Sequence, residues 1–427
     1  MRLIEEPANQ SLWAHTAHEA LPAVPLSNAV TADLTIVGGG FTGCSAALQA
    51  AEQGLVVRLI EARDFAHGGS GRNVGLVNAG LWLPPETIEQ ELGAAAGRRL
   101  NEALAAAPDL VFDLIERHAI ACDALRNGTL HCAHGPGGLV DLKRRHQQLL
   151  RQGAPVTLLT AQEAQERIGS DLFPGALHDA RAGTINPYSY CMGLARAATT
   201  AGAVLHNHSP ATAIRRDGDH WVVEAGHGQV RSSSLLLATN AYHDLAKGVA
   251  QPKAATVFYF QLATEPLSSN LRGTVLPGGE GCWDTATVMS SFRTDASGRV
   301  LIGGMGSLDH ASTFAHDSWA KRKLARLFPQ LGDQPIEFAW SGRVAMTADH
   351  LPKIVRLGPG GYQVHGYSGR GIGPGTVFGK AIGDAIAKGD EAELPLSPQA
   401  AYIERFVGAK TLYYETGAAA FHLMDSR

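Results

Sequence analysis

The sequence predicts an α/β fold in which a parallel-sheet domain, assembled from separated stretches of chain, carries an inserted β-rich (α+β) domain. Three observations predict it. An apolar run at 33–37 (DLTIV), a small-residue helical stretch at 41–53 closed by Gly54, and a second apolar run at 55–60 (LVVRLI) follow in that order. This is a β-α-β unit, which implies parallel strands joined by a right-handed crossover. Strand and helix patterns alternate at both ends of the chain, whereas the middle is richer in strand patterns. The length, 427 residues, suits two or three domains.

Taken in order, residues 1–30 show no clear period and include Pro22 and Pro25, which reads as an N-terminal arm. Residues 86–118 carry a helical pattern with Leu100, Leu104, Leu110, Leu114 and Ile115 as core positions, and 139–152 a helix with a basic face. Thr160 with Glu163 three places on is a capping-box signature for a helix at 160–168. A helix starting near Pro187 runs to Ala201, followed by strands at 211–215, 220–224 and 234–239. Further strands are expected at 255–264, 287–292 and 299–304, and helices at 317–328 and 376–388. The resulting division is an arm at 1–30, a nucleotide domain from 31–90, 181–245 and 340–427, and a substrate domain from 91–180 and 246–339.

Composition narrows the function. A net charge of −4 leaves no basic field for nucleic acid or an anionic membrane surface. No run reaches the 18 or so apolar residues of a membrane-spanning helix. The start, MRLIEEPANQ, is acidic early and lacks the apolar core of a signal peptide. Cysteines at 44, 122, 132, 191 and 282 form no C-x-x-C, and an odd number of them favours reduced thiols and the cytoplasm. The 49 glycines cluster at 38–43, 68–80, 303–306 and 366–375, which is punctuation of turns rather than low complexity.

The first glycine cluster carries chemistry. Val37-Gly38-Gly39-Gly40-Phe41-Thr42-Gly43 contains G-x-G-x-x-G between a strand and a helix. Gly38 permits the tight turn, Gly40 lets the backbone approach a pyrophosphate, and Gly43 lets helix and sheet pack closely. The helix N-terminus adds unpaired N–H groups for phosphate. Glu61 ends the second strand, where a carboxylate accepts from ribose hydroxyls and disfavours NADP, without separating NAD from FAD. The loop His67–Leu76, dense in glycine and polar donors, suits a flavin better, the alternative being a mobile surface loop. Gly366–Gly373 precedes another helix and suits either a polar ligand or a plain strand-to-helix turn.

Together, VGGGFTG (37–43), EAR (61–63), GSGRNVG (69–75), GTINP (183–187), ATNAY (238–242) and GYSGRGIG (366–373) resemble the FAD-dependent amine and amino-acid oxidases related to D-amino-acid oxidase. The SGRN-type loop and the aromatic arm with Trp13 are most similar to the branch that oxidises gamma-glutamylputrescine. The resemblance spans nearly the whole chain and implies a Rossmann-type FAD-binding domain beside a substrate-binding domain. It implies that Gly38, Gly40, Phe41 and Thr42 face the pyrophosphate, and that Glu61, Ala62 and Arg63 serve the adenosine end. Ser70, Gly71, Arg72, Asn73, Val74, Gly75 and Leu76 would run from the pyrophosphate along the flavin. Ala211 would give a backbone contact to adenine, Thr239 and Asn240 would close over the nucleotide, and Gly369, Arg370, Gly371 and Ile372 would approach the ribityl chain and pyrimidine edge.

Two departures from relatives bear on activity. Sarcosine oxidases hold flavin through a cysteine in the segment matching 340–350, which reads WSGRVAMTADH here, so FAD is expected without that bond. Glycine and D-amino-acid oxidases place a carboxylate-clamping arginine in the same segment, where Val344 aligns with Arg343 beside it. The expected reaction is oxidation of the C–N bond of a small amine to an imine that hydrolyses, with molecular oxygen reoxidising the flavin, the alternative being a dehydrogenase that passes the electrons to another carrier. Oxidation of a small amino acid is the alternative, and Arg343 or Arg370 would then replace the clamp. Tyr259 is the remaining substrate-pocket candidate, on a strand whose aromatics are otherwise core. His131, Cys132 and His134 lack a further ligand pair with zinc-like spacing, so no metal is expected. His365 reads as a packed histidine rather than a base, and Arg293 as a solvated strand residue before a turn.

Overall fold

The computed structural model describes residues 11–243, 246–309 and 312–425; the first ten residues of the arm, with the acidic start, lie outside it. The strands fall into two eight-stranded sheets and a two-stranded ribbon. In the first sheet, Gly361–His365, Gly228–Leu237, Ala29–Val37, Val57–Ile60 and Val204–His206 lie side by side and are all parallel. Lys353–Gly358 adds an antiparallel edge. Ala211–Asp217 and His220–Ala225 add an antiparallel flank along the first half of Gly228–Leu237. Helices Phe41–Glu52, Pro187–Thr200 and Ile372–Lys388 cover one face, with Leu34, Ile36, Leu59, Leu194, Phe378 and Ile382 in the same buried core.

The long helical pattern at 86–118 is three helices, Pro85–Leu92, Ala94–Ala105 and Ala107–Arg117. Gly93, at φ +83°, breaks the first junction, and Pro108 near the start of the third helix marks the second. Leu100, Leu104, Leu114 and Ile115 are buried in the core of the first sheet, although they belong to the stretch read as substrate domain. The capping box at Thr160 and Glu163 is present, reciprocal hydrogen bonds included.

The second sheet runs in the order Ile336–Met346, Ala255–Thr264, Val300–Met305, Ser290–Thr294, Gly281–Asp284, Thr129–Cys132, Ala176–Asp179 and Val156–Leu159. All its pairs are antiparallel except Gly281–Asp284 with Thr129–Cys132. Residues 340–346 therefore sit in this sheet and not with the first, because an eleven-residue strand is pinned along its length to Ala255–Thr264. Phe260, Phe292 and Ile302 pack with Trp319, Leu324 and Leu327 of helix Thr313–Leu327. A final helix, Val407–Met424, packs beside strand Ala255–Thr264 and helix Thr313–Leu327. Its apolar residues form no single stripe, and Leu412, Tyr413, Leu423 and Met424 are exposed, so no period announces it.

Candidate active site

The glycine turn sits where strand Ala29–Val37 ends and helix Phe41–Glu52 begins. Gly38 adopts φ +112°, and a Cβ there would lie 2.8 Å from Ala238 O. A Cβ on Gly43 would run into Gly38 O, so helix and turn touch through backbone. Glu61 follows the next strand, and its carboxylate accepts from Gly39 N at 2.7 Å and from Arg63 N at 2.9 Å. Burial raises its pKa from the ordinary carboxylate value, against the pull of those two N–H groups. Each oxygen keeps a second lone pair for a ribose hydroxyl.

One cavity of about 600 Å³ opens over this turn and is lined from both sheets. Gly38, Gly40, Phe41, Thr42, Glu61, Ala62 and Arg63 line it, as do Ser70, Arg72, Asn73, Val74 and Leu76. Ala211, Thr239, Asn240, Gly369, Arg370, Gly371 and Ile372 line it too. Gly71 and Gly75 do not reach the wall and instead shape the loop. Ser70 Oγ accepts from Phe41 N at 3.1 Å, which ties that loop to the helix N-terminus. Asn240 Oδ1 accepts from Gly366 N at 2.9 Å, and Thr42 Oγ1 lies 2.7 Å from Tyr367 Oη, so three chain segments interlock around the cavity.

The second sheet supplies the opposite wall. Directly paired residues on neighbouring strands share a face. Val257 faces with Val344, and Tyr259 with Gly342, while Arg343 is paired with Phe258 on the other face. Arg343 nevertheless reaches the cavity wall, lying over the Tyr242 ring at 5.2 Å, and its backbone N–H donates to Tyr242 Oη at 2.7 Å. Tyr259 Oη donates to Ser291 Oγ at 3.0 Å; burial raises its pKa, so the phenol stays neutral. Arg370 is enclosed by protein yet keeps accessible surface, and that surface is the cavity's. Its guanidinium lies 4.6 Å from the Trp283 ring centre and donates to Ala79 O at 3.2 Å. Burial, and then the nearby Arg145 charge, push its pKa down to about 9.

Several wall residues carried no sequence signal of their own. Trp82 and Trp283 meet edge to face with centroids 5.8 Å apart, and Arg145 donates to Trp82 O. GLWLPP and GCWD hold the only hint, a lone tryptophan beside proline or glycine. His131 stacks on Trp283 with centroids 3.4 Å apart, and burial lowers its pKa well below the usual value. Among the described residues, no three His, Cys, Asp or Glu side chains gather as metal ligands would, and no cysteine lines the cavity. His365 is buried behind the glycine turn and outside the cavity wall, with its pKa pushed down to about 4 by burial. Arg293 is not solvated but 1% exposed, because its strand lies inside the second sheet and its side chain is driven against the loop at 74–75.

The chain is similar to known proteins. Residues 33–385 match the family model described as DAO, FAD dependent oxidoreductase. The chain is 30% identical over 434 residues to the gamma-glutamylputrescine oxidoreductase of Escherichia coli (strain K12), covering 97% of this chain and 98% of that one. It is also 30% identical to the probable oxidoreductase OrdL of Haemophilus influenzae, covering 86% and 85%. Among solved structures, glycine oxidase from Geobacillus kaustophilus superposes with TM-score 0.70 at 20% identity, covering 87% of this chain and 100% of that one. That structural likeness shows the fold. No helix among the described residues is long and apolar enough to cross a membrane.

Proposed function

Since the chain belongs to the DAO family of FAD-dependent oxidoreductases, we propose that this enzyme oxidises the C–N bond of a small amine and holds its FAD without a covalent bond. The cavity fits the cofactor: a phosphate turn with no side chain at Gly40, a fixed carboxylate at Glu61, and a polar loop at Ser70–Leu76 share one wall. Bound FAD supplies the acceptor for two electrons from the carbon beside nitrogen. Overall, a primary amine, oxygen and water would give an aldehyde, ammonia and hydrogen peroxide.

The observation that carries the amine reading is the register of the pocket strand. Beside Tyr259 the strand turns Gly342 and Val344 to the cavity, and the two nearby cations that also line it are engaged elsewhere, Arg72 with His67 O and Ser341 O and Arg343 over the Tyr242 ring. A carboxylate buried without a paired cation is costly. The similarity to gamma-glutamylputrescine oxidoreductase over nearly the whole chain supports the same reading. Tyr259 already donates to Ser291, so its oxygen is free to accept a substrate N–H. Trp82 and Trp283 put apolar ring surface on the cavity wall. The five free, buried cysteines support a cytoplasmic location.

Arg370 motivates a second reading. It is a cation in the cavity wall with no ion-pair partner among the described residues, and it would suit an amino-acid carboxylate. Anaerobic bleaching of the flavin separates the two. Acylated and free diamines should bleach it faster than glycine or D-alanine. Faster bleaching by the amino acids, lost in Arg343→Ala or Arg370→Ala, would transfer the enzyme to the amino-acid oxidases.

A further inference from the structure

The loop Gly69–Gly75 has a donor on every carbonyl. Asn73 Nδ2 reaches back to Gly69 O at 3.0 Å and Ser70 O at 2.9 Å. Gly71 O accepts from Ser11 Oγ at 3.0 Å, Arg72 O from Trp340 Nε1 at 2.9 Å, and Asn73 O from Trp13 Nε1 at 2.8 Å. Arg293 Nη1 reaches Val74 O at 3.3 Å, Gly75 O at 3.1 Å and, beyond the loop, Ile185 O at 2.8 Å. These donors come from places far apart in the chain: the arm, strand Ser290–Thr294 and strand Ile336–Met346. They also support one another, with Trp13 and Trp340 edge to face at 6.3 Å and the Arg293 guanidinium 5.2 Å over the Trp13 ring.

The N–H groups on the same stretch are not treated alike. Those of Gly71, Arg72 and Asn73 turn back to Gly68 O and Gly69 O, and that of Gly75 goes to Asn73 Oδ1. The Val74 N–H has no partner among the described residues, and Val74 lines the cavity. In a planar trans peptide the C=O and N–H point in opposite directions. The indole that holds Asn73 O therefore also fixes the direction of the Val74 N–H. Arg293 adds a buried cation behind the same loop that has no carboxylate partner among the described residues.

We infer that Trp13 and Arg293 are positioning residues for the flavin: together with Ser11 and Trp340 they clamp the loop's carbonyls away from the cofactor, so that the Val74 N–H donates to the flavin ring. This rests on the FAD reading above. It gives the N-terminal arm a role in cofactor chemistry, and it makes the second sheet a support for the loop of the first. A donated N–H and a nearby cation both favour the electron-rich reduced flavin, so the clamp raises the midpoint potential as well as retaining FAD.

The test uses the purified holoenzyme with Trp13→Phe, which keeps the ring and loses the donor, and Arg293→Met. Trp221→Phe is the control: it removes an indole bond to Pro359 O (3.0 Å) away from the cavity wall. Three quantities are read: FAD release after dilution, followed by its fluorescence; the flavin midpoint potential; and the melting temperature. Trp13→Phe should release FAD about tenfold faster, the size of one lost buried hydrogen bond, and show a more negative potential. Arg293→Met should do both more strongly, and Trp221→Phe should do neither at a comparable loss of melting temperature. Wild-type release and potential in Trp13→Phe would overturn the clamp, as would equal shifts in Trp221→Phe. If Arg293→Met fails to fold, Trp13→Phe alone decides. A wild-type protein that binds no FAD would overturn the flavin reading itself, and is told apart by its lack of colour.

Discussion

Replacing Gly40 by valine separates cofactor binding from folding. Gly40 has φ −94° and ψ −171°, extended backbone open to any residue, so the substitution brings no backbone strain. A Cβ there would lie 2.8 Å from Ser70 Oγ, and the next protein atom is Ser70 Cβ at 3.8 Å. Rotation of Ser70 relieves that contact at the cost of its hydrogen bond from Phe41 N, about 1 kcal/mol. The two further methyls of valine stand in the cavity, where a pyrophosphate must meet the backbone. Gly43→Val is the contrast, because its Cβ would strike Gly38 O, a backbone atom that no rotamer change can move. Gly40→Val should thus melt within a few degrees of the wild-type apoprotein and retain less than about one hundredth of its FAD affinity, a loss of about 3 kcal/mol or more. Gly43→Val should lose the fold. Circular dichroism melts and the ratio of flavin to protein absorbance read the two effects. Normal flavin content in folded Gly40→Val would refute the assignment of the turn to phosphate.

Acid precipitation of the yellow protein should leave the colour in the supernatant, since no cysteine lines the cavity among the described residues; colour in the pellet would mean a covalent bond. Arg370→Met, compared at equal flavin content, should raise KM at least about tenfold for amines that carry a carboxylate, the loss of a charged hydrogen bond, with little change for neutral amines. Equal effects on both classes, measured by stopped-flow bleaching, would remove Arg370 from substrate recognition. Stability should fall on acidification between pH 6.5 and 4 because His365 is held neutral: its pKa, ordinarily 6.5, is pushed down to about 4 in the folded protein, so the unfolded chain binds the extra proton in that window. The contribution, complete above pH 6.5, is worth up to about 3 kcal/mol. Urea midpoints of His365→Leu should depend less steeply on pH there than those of wild type, and parallel curves would contradict this. His67, with its pKa down to about 4, retains part of the slope in both proteins.

The sequence by itself determined the local parts whose physics is local. The strand–turn–helix at 33–53 was legible because apolar runs and three glycines specify a β-α-β turn without help from the rest of the chain. The Thr160–Glu163 cap and the strand Ala255–Thr264 were legible for the same reason. Tertiary structure decided whatever depends on register or on partners distant in sequence. Arg343 and Val344 are neighbours in the chain, and only the pairing with Phe258 and Val257 settles which one stands beside Tyr259, since one residue along a strand reverses the face. Arg293 looked like a surface residue because nothing adjacent to it announces burial, yet its partners are the carbonyls of residues 74, 75 and 185. Trp13 and Trp340 stand 327 places apart in the chain, and the fold alone sets them on consecutive carbonyls of one loop, because a hydrogen bond is decided by distance in space and a sequence records only distance along the chain.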